Sequence, residues 1–214
     1  MLLQIETIVV GQLQTNCYLV IDKKSSDCLI IDPGADAENI QNRITDLKVN
    51  PKMIIATHGH FDHVLAVVDL QISFSIPFLI NEKDIFLLKR MPETAEHFLK
   101  MKINTPVPIP DKKITESQSI SVGSLQFEIL FSPGHTPGGI SLYFKSEKLL
   151  FSGDTWFADG GIGRTDFSYS SLGDLHTSLK QLAALPDETG LFSGHGRGSN
   201  IGRERRNISF ALDN

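Results

Sequence analysis

The chain has 214 residues, of which 41% are hydrophobic and 21% charged, an ordinary composition for a globular protein with one core. We therefore expect a single domain over residues 1–214. The formal net charge of −5 argues against nucleic acid as a partner, because phosphate binding requires a basic surface. No run of eighteen apolar residues occurs, so we expect no membrane-spanning helix.

The first six residues contain neither a basic segment nor a small-residue cleavage site. This absence predicts that they are not a secretory signal and that the protein is cytoplasmic. The two cysteines, Cys17 and Cys28, are then expected to remain reduced thiols.

Hydrophobic periodicity predicts strands and helices along most of the chain. Predicted strands cover residues 2–10, 16–21, 28–31, 53–56, 77–80, 119–122, 125–131, 140–144, 148–151 and 191–192. Predicted helices cover residues 37–47, 64–72, 82–90 and 170–185, and a last helix begins within 202–206. The strands at 16–21 and 28–31 are expected to form a hairpin.

Residues 91–113 are the least regular stretch, because four prolines interrupt them. A short helix over 94–101 followed by an extended loop fits this stretch best, with His97 on the surface. The segment is either a surface insertion packed on the core, which we favour, or a lid over a functional site.

The stretch Thr57-His58-Gly59-His60-Phe61-Asp62-His63 follows the predicted buried strand 53–56. Imidazole nitrogens and carboxylate oxygens are the ligands that suit zinc, iron or manganese. His58 and His60 are two positions apart and would point away from each other on a helix, whereas a tight loop can aim them at one point. Gly59 is expected to ease the bend.

The same arrangement, an apolar strand followed at once by a small-residue turn with a donor, recurs before His135, Asp154 and His195. Strand ends in packed sheets meet at a common edge, so we expect all these donors to converge. The predicted metal ligands are His58, His60, Asp62, His63, His135, Asp154 and His195. Seven donors exceed the needs of one tetrahedral ion and suit two divalent ions, with zinc favoured and iron or manganese as alternatives. Asp154 is the natural bridge, because a carboxylate has two oxygens.

Asp32 lies in the turn Asp32-Pro33-Gly34 after the strand 28–31. Its carboxylate either shapes that turn, which we favour, or accepts a hydrogen bond from a metal-bound histidine.

In order and approximate spacing, these motifs resemble the metallo-β-lactamase superfamily over nearly the whole chain. The resemblance implies an α/β fold of the four-layer αββα sandwich type, with two mixed sheets flanked by helices and the metals at one edge. It also implies that His58, His60 and His135 hold one ion. The second ion would then be held by Asp62, His63 and His195, with Asp154 bridging the two ions.

Within the superfamily, the chain is more similar to the glyoxalase II-like hydrolases. The similar segments are 14–18, 32–34, 132–138, 152–155, 163–166 and 194–196. Leu65 and Ala66 stand where the family often has paired glycines. The classical glyoxalase II also carries a C-terminal helical domain that supplies basic residues to glutathione, and this chain is expected to lack it.

The resemblance implies a hydrolase that acts on a small-molecule thioester of the hydroxyacylglutathione type, or on a related ester. Divalent ions lower the pKa of bound water to about 7, so a metal-bound hydroxide is the expected nucleophile. Asp62 and Asp154 are the predicted catalytic residues, and Asp62 is expected to orient the hydroxide. Arg164 either contacts an anionic group of the substrate or pairs with Asp166 to hold its loop, and we favour the latter slightly.

Other functions stay open on the sequence alone. A persulfide dioxygenase of the same fold would use one iron held by the residues matching His58, His135 and Asp154, a set typical of Fe(II) oxygenases. A lactonase and a non-enzymatic metal-binding domain are further alternatives, although folding alone does not require a complete ligand set. The sequence leaves the oligomeric state and the exact substrate open.

Overall fold

In the computed structural model, which describes residues 3–212, twelve strands form two six-stranded sheets. The first sheet contains, in spatial order, β1 (Leu3–Val10), β2 (Thr15–Asp22), β3 (Asp27–Ile31), β4 (Asn50–Ile55), β5 (Phe78–Asn81) and β6 (Lys112–Ile114). The second contains β7 (Ser119–Val122), β8 (Leu125–Phe131), β9 (Ile140–Phe144), β10 (Leu149–Gly153), β11 (Gly190–Ser193) and β12 (Ser199–Asn200), also neighbours in that order.

Both sheets are mixed. In the first, β1 to β3 are antiparallel, and β3 to β6 pair in parallel. In the second, the β10–β11 pair is parallel and the other pairs are antiparallel. The helices are α1 (Ala37–Leu47), α2 (Phe61–Val64), α3 (Val67–Phe74), α4 (Ile85–Leu99), α5 (Leu172–Ala183) and α6 (Ile201–Leu212). Short 3₁₀ turns cover Glu82–Asp84 and Ala158–Gly160.

The apolar residues fill three layers, because side chains alternate between the two faces of each strand. On β2, Cys17 and Leu19 face a core shared with α1, α3 and α4, whereas Val20 faces a core between the two sheets. On the far side, Leu150 of β10 packs with Leu179 of α5 in a third core. The predicted αββα sandwich is therefore confirmed. No helix within residues 3–212 combines the length and hydrophobicity needed to cross a membrane.

Most predicted elements are present, and α1 begins and ends at the predicted residues 37 and 47. The predicted helix 64–72 is interrupted at Leu65 and Ala66, so that α2 and α3 are separate. The strand β6 begins within the last two residues of the stretch 91–113, which was predicted to end as an extended loop, and continues to Ile114.

The prediction of separate helices at 82–90 and 94–101 was wrong, because α4 runs continuously through Pro92. Proline removes one N–H donor from the hydrogen bonds of the helix, but the other side chains of the helix can still pack against the core. The buried residues Leu88, Met91 and Ala95 anchor α4 to the first core on both sides of the proline. Tertiary packing thus overrides a helix-breaking signal.

Candidate metal centre

The first donor stretch is divided between a loop and a helix. β4 ends at Ile55, His60 precedes α2 with extended backbone angles, and Asp62 and His63 lie within α2. Gly59 is required for close approach rather than for an unusual backbone angle. A Cβ atom there would lie 2.8 Å from the carbonyl oxygen of Asp84.

The other donors follow the strands of the second sheet. His135 comes after β8, Asp154 directly after β10, and His195 after β11. Side chains of β2 hold the last of these loops: the amide of Asn16 donates to the carbonyl oxygens of Ser193 and Gly196, and the Tyr18 hydroxyl donates to that of Ser193. In the sequence, the segment 14–18 was noted only for its similarity to the glyoxalase II-like hydrolases. Its hydrogen bonds join the first sheet to the loop of the second sheet that carries His195.

All seven predicted ligands converge in the structure, and we call them the donor cluster. They fall into three overlapping groups whose donor atoms lie within 4.8 Å of one another. The groups are His58 with His60 and His135, Asp62 with His63 and His195, and His58 with His63 and Asp154. The first two groups have the same members as the two ligand sets implied by the sequence resemblance.

Asp154 lies between the first two groups. Its Oδ2 atom is 3.7 Å from Nε2 of His135 and 3.5 Å from Nε2 of His195, and its Oδ1 atom is 3.5 Å from Nε2 of His63. One carboxylate therefore reaches donors of both groups, as a bridging ligand must.

Each histidine forms a hydrogen bond through the ring nitrogen that faces away from the cluster. The partners are Thr57 Oγ1 for His58 (3.1 Å), Tyr169 Oη for His60 (2.9 Å), Asp32 Oδ2 for His63 (3.0 Å), the Arg164 carbonyl for His135 (2.8 Å) and the Leu13 carbonyl for His195 (3.0 Å). Because carbonyl and carboxylate oxygens only accept, His63, His135 and His195 donate from Nδ1 in these contacts.

The tautomer of His58 follows from the same logic. The Thr57 hydroxyl donates to Asp32 Oδ2 at 2.7 Å, so it accepts from His58 Nδ1 and leaves His58 Nε2 with a lone pair. His58 Nε2 faces Nδ1 of His60 at 3.1 Å, and Nε2 of His135 faces the same atom at 3.0 Å. Two nitrogens about 2.0 Å from one tetrahedral ion lie about 3.3 Å apart, so these three atoms fit a common metal ion.

Two atoms in the cluster are orphaned. His63 Nε2 and Asp154 Oδ1 are buried and have no hydrogen-bond partner. Because an unpaired buried polar atom costs about 1–3 kcal/mol, such atoms need a compensating ligand. Together with a donor set of imidazoles and carboxylates, they indicate that the cluster fits divalent metal ions.

The cluster strongly perturbs the protonation of its members. Burial lowers the pKa of His60 to about 3, assisted by the neighbouring charge of His135, and burial also holds the pKa of His58 well below its usual value. Burial also acts to lower the pKa of His63, but Asp154 and Asp62 outweigh it and raise that pKa to about 9. His58 and His60 are therefore neutral ligands near pH 7, while the carboxylates compensate positive charge on the opposite side.

The pKa of both cluster carboxylates lies below the ordinary range. Burial acts to raise the pKa of Asp62 and of Asp154, but His63 and His195 more than offset this effect. For His195 the balance is the reverse, since burial opposes the charge while Asp154 and Asp62 raise its pKa to about 10. Both carboxylates are therefore ionised near pH 7 and able to bind cations.

Asp32 accepts hydrogen bonds from the backbone N–H of Thr57 (2.6 Å), from the Thr57 hydroxyl and from His63. The turn-shaping role favoured from sequence is thus incomplete, because the carboxylate also orients a donor histidine. This is the arrangement in which a carboxylate behind a histidine fixes the ring and raises its basicity as a ligand.

Asp84 is a residue that the sequence analysis missed. It is fully buried and accepts hydrogen bonds from the N–H of Gly59 (2.9 Å), the N–H of Gly138 (2.6 Å) and the Thr136 hydroxyl (2.7 Å). The loop of His58 and the loop of His135 are thereby fixed to one carboxylate. Burial raises the pKa of Asp84, although these three hydrogen bonds act to lower it. In the sequence, the only local indication of this role is that Asp84 is a charged residue between two apolar segments.

Arg164 lies beside the cluster, but its guanidinium binds Asp166 in a two-pronged contact of 2.6 and 2.5 Å. It also stacks over the ring of Phe167, with Cζ 4.5 Å from the ring centroid. Gly163 passes close to the cluster, because a Cβ atom there would lie 2.1 Å from the carbonyl oxygen of Asp154. The segment 163–166 therefore supplies the carbonyl oxygen of Arg164 as an acceptor for His135. The side chain of Arg164 binds Asp166 and Phe167 of the same loop.

Residues 10–195 match the model of the metallo-beta-lactamase superfamily. The chain belongs to the metallo-β-lactamase superfamily. The fold and the motif order predicted from sequence agree with that membership.

Among curated proteins, the chain is 39% identical over 211 residues to hydroxyacylglutathione hydrolase GloC of Haemophilus influenzae, covering 97% of this chain and 98% of that protein. Among solved structures, it is similar to BLEG-1 B3 metallo-beta-lactamase, with a TM-score of 0.90 and 32% identity over 99% of this chain and 100% of that chain. The di-iron-bound form of TTHA1623 gives a TM-score of 0.86 and 33% identity over 96% and 99% of the two chains.

Membership of this superfamily supports a metal-dependent hydrolase, and the fold implies divalent metal ions. The groups of His and Asp donors in this chain suit such ions. The favoured metal, zinc, stays a prediction, because a similar structure holds two irons.

Proposed function

We propose that the protein is a dinuclear metal-dependent hydrolase of thioesters of the hydroxyacylglutathione type. The observation that carries this proposal is the position of Asp154, whose oxygens lie 3.5 to 3.7 Å from histidines of both three-donor groups. In this proposal His58, His60 and His135 would hold one ion, Asp62, His63 and His195 would hold the other, and Asp154 would be a ligand of both.

When bound, divalent ions supply a water that ionises near neutral pH and a positive charge that polarises a carbonyl oxygen. The contribution of the chain is to hold the ligands in place. Asp62 Oδ2 accepts a hydrogen bond from the Thr15 hydroxyl at 3.1 Å and lies 3.4 Å from Nε2 of His195. This fixed carboxylate has the position to orient an attacking water as well as to bind metal.

A cavity of about 260 Å³ opens onto the cluster and provides room for the acyl group. Its walls include Leu13, Phe61, Phe98 and Phe167, and its floor includes Asp62 and Asp154. Apolar walls around a few polar groups are typical of small-molecule sites.

Two considerations favour thioester hydrolysis over the alternatives. The similarity to a hydroxyacylglutathione hydrolase extends over nearly the full length of both chains. A mononuclear persulfide dioxygenase would use His58, His135 and Asp154 only, leaving four of the converging donors without a role.

The test is metal analysis of the purified protein combined with kinetics on S-lactoylglutathione. We expect two ions per chain under metal-replete conditions, hydrolysis of the thioester, and loss of activity on chelation that is reversed by adding metal. A persulfide with oxygen uptake and a chromogenic β-lactam serve as comparison substrates. One ion per chain with oxygen consumption, or cleavage of the β-lactam without the thioester, would overturn the proposal.

A further inference from the structure

A second cavity, of about 350 Å³, lies beside the donor cluster between α4 and residues 167–169. Its volume is in the ordinary range for a small-molecule site. It shares walls with the cavity over the cluster, and the residues lining both are His60, Phe61, Thr94, Phe98, Phe167 and Tyr169. We call the two cavities together the α4 groove. A ligand with its reacting atom at the cluster can therefore extend along α4.

The groove has apolar walls near the cluster. Phe61 and Phe98 are stacked with ring centroids 5.8 Å apart, and Phe167 and Tyr169 are stacked at 5.2 Å. The Tyr169 hydroxyl bonds His60, so this side of the groove is fixed to a cluster residue. Such walls suit the uncharged stem of a ligand and leave recognition of polar ends to other residues.

The wall formed by α4 contains the charged residues of the second cavity. Leu87, Arg90, Thr94 and His97 follow one another at helical spacing and line the cavity from α4. Arg90 is exposed, and within residues 3–212 its guanidinium forms no ion pair with any carboxylate. Arg164, by contrast, is held by Asp166. The guanidinium of Arg90 is therefore free to donate hydrogen bonds to an anionic group of a ligand in the groove.

Glu93 lines the same wall, three residues after Arg90. Its negative charge disfavours a ligand end with several negative charges, such as a diphosphate, more strongly than it disfavours a single carboxylate. We infer that the second cavity of the α4 groove is the binding site for the thiol half of the thioester, with Arg90 binding a carboxylate on that thiol. This inference rests on the proposed function, since it assigns the leaving-group side of the same reaction.

The test compares S-lactoyl-N-acetylcysteine with its methyl ester, because the two thioesters differ by one negative charge and only one methyl group. We expect Arg90→Met to reduce kcat/KM for the acid about tenfold through KM, with the methyl ester unaffected. Arg90→Lys should recover part of the loss. The matched control is Lys89→Met, which removes a positive charge from an exposed neighbour that does not line either cavity.

A binding measurement separates this inference from the proposed function. S-methyl-N-acetylcysteine and its uncharged primary carboxamide contain neither a thioester nor an ester, and calorimetry with the metal-loaded protein should show that Arg90→Met weakens binding of the acid alone. Equal losses on acid and ester, or losses equal to those of Lys89→Met, would overturn the assignment of the groove. Absence of thioester hydrolysis alongside Arg90-dependent binding would instead overturn the proposed function and leave the anion site standing.

Discussion

The donor cluster and the wall of the α4 groove lie side by side but differ in construction. In the cluster, the side chain of His63 is fully buried and that of Asp154 is 12% exposed, and every histidine has a hydrogen-bond partner behind it. On the wall, the side chain of Arg164 is more than half exposed, and Arg90 is exposed as well.

This difference indicates that the cluster serves metal binding and that the wall serves substrate selection. Buried and hydrogen-bonded ligands are held within narrow limits, which metal binding requires. An exposed wall can change residues with little effect on stability, and so it can determine which substrate is accepted. Substitutions in the cluster should therefore affect every substrate, whereas substitutions on the wall should discriminate between substrates.

The largest effect is expected for Asp154→Ala. In the proposed dinuclear site, removing this carboxylate would leave two cations repelling each other with one charge fewer between them. We expect kcat/KM to fall about a thousandfold, corresponding to about 4 kcal/mol, together with a loss of bound metal measured by plasma emission. Asp46→Ala, which removes an exposed aspartate of α1, is the control and should leave both quantities unchanged. Full metal content with normal turnover in Asp154→Ala would show that Asp154 is not the bridge.

Asp84→Ala should have the next largest effect, and mainly on stability. It leaves the N–H groups of Gly59 and Gly138 and the Thr136 hydroxyl without their acceptor in the interior. We expect the free energy of unfolding of the metal-free protein to fall by about 3 kcal/mol in denaturant titrations. If Asp84→Ala matched the exposed control Asp46→Ala, the loops of His58 and His135 would not depend on Asp84.

Asp32→Asn tests the orientation of a single donor. Asparagine tolerates the positive φ of 52° at this position, but its NH₂ group cannot accept the hydrogen bond from His63. We expect metal affinity, measured by competition with a chelator, to fall about 10- to 100-fold. Asp36→Asn is the matched control, since Asp36 is an exposed aspartate with a φ of 53° away from the cluster. Unchanged affinity in Asp32→Asn would reduce Asp32 to the turn-shaping role expected from sequence.

The smallest effect is expected on the wall, for Arg164→Ala. An exposed ion pair such as Arg164–Asp166 contributes about 0–1 kcal/mol. We expect kcat/KM to change within about threefold, and equally for the acid and ester thioesters described above. Asp166→Ala breaks the same pair and should likewise leave kcat/KM for the uncharged ester within about threefold. A loss confined to the anionic substrate in Arg164→Ala would move the carboxylate site from Arg90 to Arg164.

The sequence by itself determined the strand-turn-donor units and most of the elements that carry them. The His58 loop, His135, Asp154 and His195 could each be identified because an apolar strand and the turn after it are local features. The ends of α1 were also predicted correctly, since helical spacing and its interruption are written within a few residues.

The tertiary structure alone decided how those donors are held and which charges remain available. Asp32 and His63 are 31 positions apart, Asp84 and Gly138 are 54 apart, and Asn16 and Gly196 are 180 apart. Local patterns carry no information on such pairs, because packing of the whole chain sets their distances. Packing also keeps α4 continuous across Pro92, and this continuous helix places Arg90 on the wall of the groove beside the donor cluster.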